Sequence, residues 1–141
     1  MNKSIKSGKL NISNTGPFTL IAGPCQLENE KHALDVAKEL KQITDKLGIG
    51  LIYKTSFDKA NRTSLKGKRG AGLEKSLPVF DKIKKDLNIP ILTDIHNEQQ
   101  CLAVSKHVDI FTVCSSPDRL CGLDKIGTYD FYVSSTYFVV G

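Results

Sequence analysis

The run Tyr53-Lys54-Thr55-Ser56-Phe57-Asp58-Lys59-Ala60-Asn61-Arg62-Thr63-Ser64 holds the residues best suited to chemistry in this chain. It starts as a short apolar strand, Gly50-Leu51-Ile52-Tyr53, and then places Lys54, Lys59 and Arg62 among Thr55, Ser56, Asn61, Thr63 and Ser64. An arginine offers a planar bidentate fork and a lysine a mobile point charge, while hydroxyl and amide groups fix orientation. Cations mixed with such donors at the end of a buried strand suit phosphate and carboxylate groups. A solvated basic loop would carry the same charges. Two further strand ends favour a site: Cys25 follows the apolar run Phe18-Thr19-Leu20-Ile21-Ala22, and Asp94 and His96 close Pro90-Ile91-Leu92-Thr93-Asp94.

The elements that must position these residues follow from periodicity. Val36, Leu40, Ile43 and Leu47 recur at helical spacing and predict a helix over Glu28 to Lys46, closed by Gly48. Leu73, Leu77, Phe80, Ile83 and Leu87 predict a second amphipathic helix after a loop through Gly67, Gly70 and Gly72. A short helix over Glu98 to Lys106 and a fourth strand from Val108 to Phe111 come next. Strands that are apolar throughout and alternate with helices predict a parallel sheet covered by helices. This pattern leaves an open doubly wound sheet and a closed barrel both possible. The first strand has no Gly-x-Gly-x-x-Gly turn, which argues against dinucleotide binding. Polar residues at successive strand ends are the mark of a (β/α)-barrel enzyme, which needs about 250 residues. The 141 residues here supply about four units of eight.

Composition narrows the function classes. A hydrophobic content of 40% and a charged content of 25% are ordinary for a globular domain. The net charge of +5 comes from lysines interleaved with acids, with one dense cluster at Lys59, Arg62, Lys66, Lys68 and Arg69. That pattern points to small anionic ligands and away from nucleic acid. No apolar run nears the roughly 20 residues that cross a membrane, and the basic N-terminus leads to no signal core. A cytoplasmic location is expected, with no membrane partner. Cys25, Cys101, Cys114 and Cys121 have neither paired metal spacing nor a secreted disulfide framework.

Three segments together resemble a known family: Ile21-Ala22-Gly23-Pro24-Cys25, Lys54 to Arg62, and Leu92-Thr93-Asp94-Ile95-His96. They are similar to 3-deoxy-D-manno-octulosonate 8-phosphate synthase, as is Lys68-Arg69-Gly70-Ala71-Gly72-Leu73-Glu74. The resemblance runs from Phe18 to Ile110 and implies a partial TIM barrel, with residues 1–17 as an N-terminal extension. It implies condensation of phosphoenolpyruvate with arabinose 5-phosphate, with release of phosphate, toward lipopolysaccharide. The sister family, which makes a seven-carbon product from erythrose 4-phosphate, typically has Lys-Pro-Arg-Thr where this chain has Lys59-Ala60-Asn61-Arg62.

By this resemblance Lys59 faces phosphoenolpyruvate, and Lys54 lies near both reacting carbons, where a cation stabilises developing negative charge. Asn61, Arg62 and Thr63 match the family's sites for the sugar hydroxyls and phosphate, and Asp94 and His96 line the same cavity. For Asp94 a helix or loop cap is the plain alternative. In some members the cysteine matching Cys25 binds a divalent metal such as zinc, iron or manganese; elsewhere such a cysteine is an inert core thiol. The other metal ligands of that class have no match here, and His32 and His107 read as surface residues. One cysteine cannot hold a metal, so none is expected in this chain. Intact members are expected to be homotetramers.

Past Ile110 the family would continue Ile-Leu-Gln, whereas this chain reads Phe111-Thr112-Val113-Cys114, with a Tyr-, Val- and Ser-rich tail over Tyr129 to Gly141. A reading-frame slip accounts for so clean a break: with residues 110 to 112 encoded ATT-TTT-ACA and G following, loss of one T restores Ile-Leu-Gln. The other reading is a divergent end with a real strand over Phe131 to Val140. A half sheet has open edges, so the polypeptide alone is expected to aggregate readily and to be inactive or nearly so.

Overall fold

The computed structural model describes residues 4–59, 70–113, 130–133 and 137–140. The alternating pattern folds as β3 (Thr19–Ala22), α1 (Glu30–Leu47), β4 (Gly50–Lys54), α2 (Leu73–Leu87), β5 (Ile91–Ile95), α3 (Glu98–Val104) and β6 (Ile110–Val113). Two short strands precede these, β1 (Ser4–Ser7) and β2 (Leu10–Ser13), paired antiparallel as a hairpin. Its turn is Gly8-Lys9, with Gly8 in the left-handed region (φ 56°) that a two-residue hairpin turn favours. Two more follow, β7 (Asp130–Val133) and β8 (Tyr137–Val140).

The main sheet has the order β3-β4-β5-β6-β8-β7. Its first four strands are parallel, as the β/α alternation predicts. The last two depart from that expectation. β8 runs antiparallel to β6, and β7 antiparallel to β8, so residues 130–140 form two short strands where one was read. β7 ends at Val133 and β8 begins at Tyr137, too short a connection for the crossover of a dozen or more residues that a parallel return needs.

Alternation along each strand sorts side chains onto two faces. Leu51, Tyr53, Ile91 and Phe111 point to the helices and pack with Ala33, Ala37, Val79, Phe80 and Ile83, all fully or nearly fully buried. Phe80 alone, with no exposed surface, is worth about 3–5 kcal/mol against truncation to alanine. The buried phenol of Tyr53 donates to Ala33 O at 3.1 Å, tying α1 to the sheet. On the other face Ile52, Leu92 and Ile110 are covered by Leu10 and Ile12 of the hairpin.

Helix α1 is capped as its sequence suggests. Asn29 accepts from the His32 backbone N–H, and Gly48 (φ 65°) turns the chain back with its N–H on Asp45 O and Thr44 O. The buried stripe differs from the predicted one. Val36 and Leu40 of the predicted stripe pack at the edge of the core, but the buried residues are Ala33, Leu34, Ala37 and Thr44, while Ile43 and Leu47 are 43% and 65% exposed. The face is rotated by about 60°, the offset of three residues at 3.6 per turn. Alanines allow the helix to approach the sheet closely, and Thr44 satisfies its buried hydroxyl on Leu40 O at 2.9 Å. Helix α2 buries Val79, Phe80 and Ile83 and packs Leu73, Leu77 and Leu87 at the edge of the core, close to the predicted face.

Candidate active site at the strand ends

The site is built by continuing the β4–β5 ladder past its last formal pair. Lys54 is in register with Leu92, on the face of Ile52. Beyond it, Thr55 N–H donates to Leu92 O at 3.2 Å, and Thr93 Oγ1 donates to Thr55 O at 2.8 Å. These bonds hold the chain extended for two more residues and bring Ser56 opposite Asp94. The β3 side is held as firmly. The pairing runs from Ala22–Tyr53 to a bridge at Gln26–Ser56, so the Gly23-Pro24-Cys25 turn contains one extra residue. Leu27 N–H then donates to Ser56 O at 2.8 Å. Gly23 lies against the Lys54 backbone so closely that a Cβ there would be 1.9 Å from Lys54 O.

Four polar side chains meet on this frame. Lys54 Nζ donates to Ser56 Oγ at 2.9 Å, and the Ser56 hydroxyl donates to Asp94 Oδ1. Lys54 Nζ lies 3.7 Å from the same carboxylate oxygen, beyond direct hydrogen-bond reach. Asp94 Oδ2 lies 3.7 Å from His96 Nε2, which is 3.0 Å from Asp58 O. A carbonyl only accepts, so that ring nitrogen carries the proton. The His96 backbone N–H donates to Gln100 Oε1 at 2.7 Å, and its ring meets Phe57 edge-on at 5.7 Å. Asp94 and His96 are largely buried, whereas the Lys54 side chain keeps 33% of its surface open. The result is a partly open cation, backed by a carboxylate and an imidazole. That arrangement suits an anionic ligand and proton traffic beside it.

Of the residues the sequence singles out, Lys54, Asp94 and His96 converge here. Asp94 is not a cap, because Asn97 caps α3 by accepting from Gln100 N–H at 3.0 Å. Lys59 is exposed, and Asn61, Arg62 and Thr63 lie outside the described residues. Cys25 is an exposed free thiol on the turn after β3, not a core thiol. His32 is exposed, and His107 pairs with Asp81 at 2.8 Å on the surface of the helical layer. Among the described residues no three His, Cys, Asp or Glu side chains gather to hold a metal ion, so Cys25 stands as a single donor. The described residues therefore do not fit a metal site. Ser56 is named from the sequence only as one hydroxyl partner among several and is given no place of its own. Its signal was available, since it lies two residues beyond Lys54 and so on the same face of an extended chain.

The opposite end of the sheet has a cavity of about 140 Å³ between the hairpin and the C-terminal ends of α1 and α2, lined by Leu10, Thr44, Gly50, Asn88 and Pro90. It shares no residue with the polar cluster. The polar cluster is at the carboxyl ends of the strands, where open and closed parallel sheets alike bind their ligands.

Four parallel strands covered by helices, with a lysine–serine–carboxylate–histidine cluster at their carboxyl ends, define a mixed α/β protein. The chain belongs to the DAHP synthetase I family, whose model matches residues 3–118. It is 54% identical over 130 residues to a protein of Brucella anthropi named 2-dehydro-3-deoxyphosphooctonate aldolase. Proteins of Brucella ovis and Brucella melitensis with the same name are each 52% identical over 130 residues. In each case 89% of this chain is covered but 47% of the relative, so the chain spans about half the length of the curated relatives it matches. The resemblance carried by the three strand-end motifs is borne out, and the family match includes the β1–β2 hairpin. No helix among the described residues is long and apolar enough to cross a membrane.

Proposed function

We propose that this chain carries the first four β/α units of a TIM barrel and one half of a site that condenses phosphoenolpyruvate with arabinose 5-phosphate. The product is the eight-carbon 3-deoxy sugar acid phosphate. The observation that carries the reading is the open Lys54 ammonium above Ser56, Asp94 and His96 at adjoining strand ends. Lys54 lies by the reacting carbons and stabilises the negative charge that develops on the aldehyde oxygen. The His96 Nε2 proton and the Asp94 carboxylate hold the proton inventory beside it. Lys59 binds phosphoenolpyruvate, and Asn61, Arg62 and Thr63 hold the sugar hydroxyls and phosphate. No step is routed through a metal, since the described residues do not fit one. The reaction is proposed for the cytoplasm, in a homotetramer when the barrel is complete. The 141-residue chain binds substrate without turning it over.

The family description favours a second reading, the seven-carbon synthase that uses erythrose 4-phosphate. Lys59-Ala60-Asn61-Arg62 stands against it. Calorimetric titration with phosphoenolpyruvate, followed by each sugar phosphate, separates the two. Binding that weakens at least about tenfold in Lys54→Met, with arabinose 5-phosphate bound in preference, is expected for the loss of a charge-assisted contact. Preference for erythrose 4-phosphate, or binding indifferent to Lys54, refutes the proposal.

A further inference from the structure

Lys54 and Asp94 are opposite charges on neighbouring strands, diagonal to one another in the Lys54–Leu92 register and both shielded from full solvation. A charge-assisted N–H···O bond between them would close to about 2.8 Å. They rest instead at 3.7 Å, with the Ser56 hydroxyl bonded to both. A hydroxyl has one proton to give and lone pairs to accept with. Here the proton goes to Asp94 and a lone pair receives Lys54. Ser56 cannot drift from this position. It is 5% exposed, its carbonyl accepts from Leu27 N–H, and its backbone bridges Gln26.

We propose that Ser56 is a positioning residue that spaces the Lys54 ammonium from the Asp94 carboxylate. It satisfies one Lys54 N–H with a neutral oxygen and leaves the remaining N–H groups for an anionic substrate. Without the hydroxyl the carboxylate captures the ammonium, and the cation is neutralised locally. The inference rests on the substrate reading above for the identity of the anion, while the spacing itself is independent of it.

The test is a cycle of Ser56→Ala, Asp94→Asn and the double variant in the full 141-residue chain. Phosphoenolpyruvate affinity is read by calorimetry, and the Lys54 Nζ resonance by ¹⁵N NMR. Ser56→Ala should weaken phosphoenolpyruvate binding about tenfold, the scale of one charge-assisted bond, and shift the Nζ resonance. Ser56→Ala/Asp94→Asn should recover most of both, because the capturing carboxylate is gone. A Ser56→Ala loss that the double variant does not recover overturns the proposal, since Ser56 would then touch the ligand or merely support the fold. An unchanged Nζ resonance in Ser56→Ala overturns it as well. If the wild-type chain binds no phosphoenolpyruvate, the substrate reading fails, and the Nζ resonance alone still decides the spacing. Should Ser56→Ala not fold, Ser56→Cys keeps the side-chain volume with a much weaker hydrogen bond and is read the same way.

Discussion

Replacing Gly23 by alanine tests the frame of the site at its tightest point. The added Cβ would lie 1.9 Å from Lys54 O, 2.8 Å from its carbonyl carbon and 3.2 Å from its nitrogen, all backbone atoms that cannot swing aside. Ordinary contact begins near 3.4 Å, so β3 and β4 must part by about 1.5 Å at this level. Such a separation strains the Gln26–Ser56 bridge and the 2.8 Å bond from Leu27 N–H to Ser56 O. Overpacking of about 1–3 kcal/mol plus a lost buried hydrogen bond of about 1 kcal/mol gives a destabilisation of about 3 kcal/mol. For a domain of this size that lowers Tm by about 10 °C. Thermal unfolding followed by far-UV circular dichroism, at matched protein concentration, measures it. Gly48→Ala is the companion variant: Gly48 has φ 65° but nothing within 4 Å, so only backbone strain of about 1–2 kcal/mol applies. A Gly23→Ala loss below about 1 kcal/mol, or one smaller than that of Gly48→Ala, would refute the close-approach argument.

Two further outcomes follow from buried groups. Burial pushes the Tyr53 phenol well above its ordinary value near 10. The folded state therefore keeps this proton when the unfolded chain loses it, and stability is constant below about pH 10 and falls above it by up to about 1.4 kcal/mol per pH unit. Tyr53→Phe should cost about 1 kcal/mol at pH 8, through the lost bond to Ala33 O, and the deficit should shrink or reverse by pH 11. Urea unfolding at both pH values measures this, and a deficit that stays constant contradicts it. Cys25 is exposed, whereas Cys101 is 1% exposed and burial raises its thiol pKa. Iodoacetamide at pH 8 should alkylate Cys25 at least about a hundredfold faster than Cys101 in the native chain, and at a similar rate in urea. Comparable native rates would contradict the packing of α3.

What the sequence disclosed and what it withheld have physical causes. Strands β3 to β6 and the helices between them were legible because fully buried parallel strands read as continuous apolar runs and helices as 3.6-residue stripes. The clustering of Lys54, Asp94 and His96 was legible because all three follow strand ends of a parallel sheet. The α1 stripe was misjudged because periodicity weights large aliphatics, whereas contact with the sheet selected Ala33 and Ala37. The β1–β2 hairpin was missed because Ser, Lys and Asn dilute its alternation, and only Leu10 and Ile12 reach the core. Ser56 stood as one hydroxyl among several because its bond to Asp94 depends on register, which is a property of two strands and not of one. Strands β7 and β8 lie in a Tyr- and Val-rich tail whose pairing partner, β6, is set by tertiary contact alone.

The chain on the two sides of residues 60–69 is pinned at nearly one point. Ala71 N–H donates to Leu27 O at 2.8 Å, Gly72 N–H donates to Phe57 O at 3.0 Å, and a Cβ on Gly70 would strike that same Phe57 oxygen at 2.6 Å. An insert whose two feet are pinned together bears its closure cost once. Doubling its length adds only about 0.6 kcal/mol. Lys54, Ser56 and Asp94 are held by bonds among residues 54–56 and 93–94. A change of length between these two feet therefore leaves unbroken the bonds that hold the ammonium and the carboxylate, since none of those bonds involves a residue between the feet.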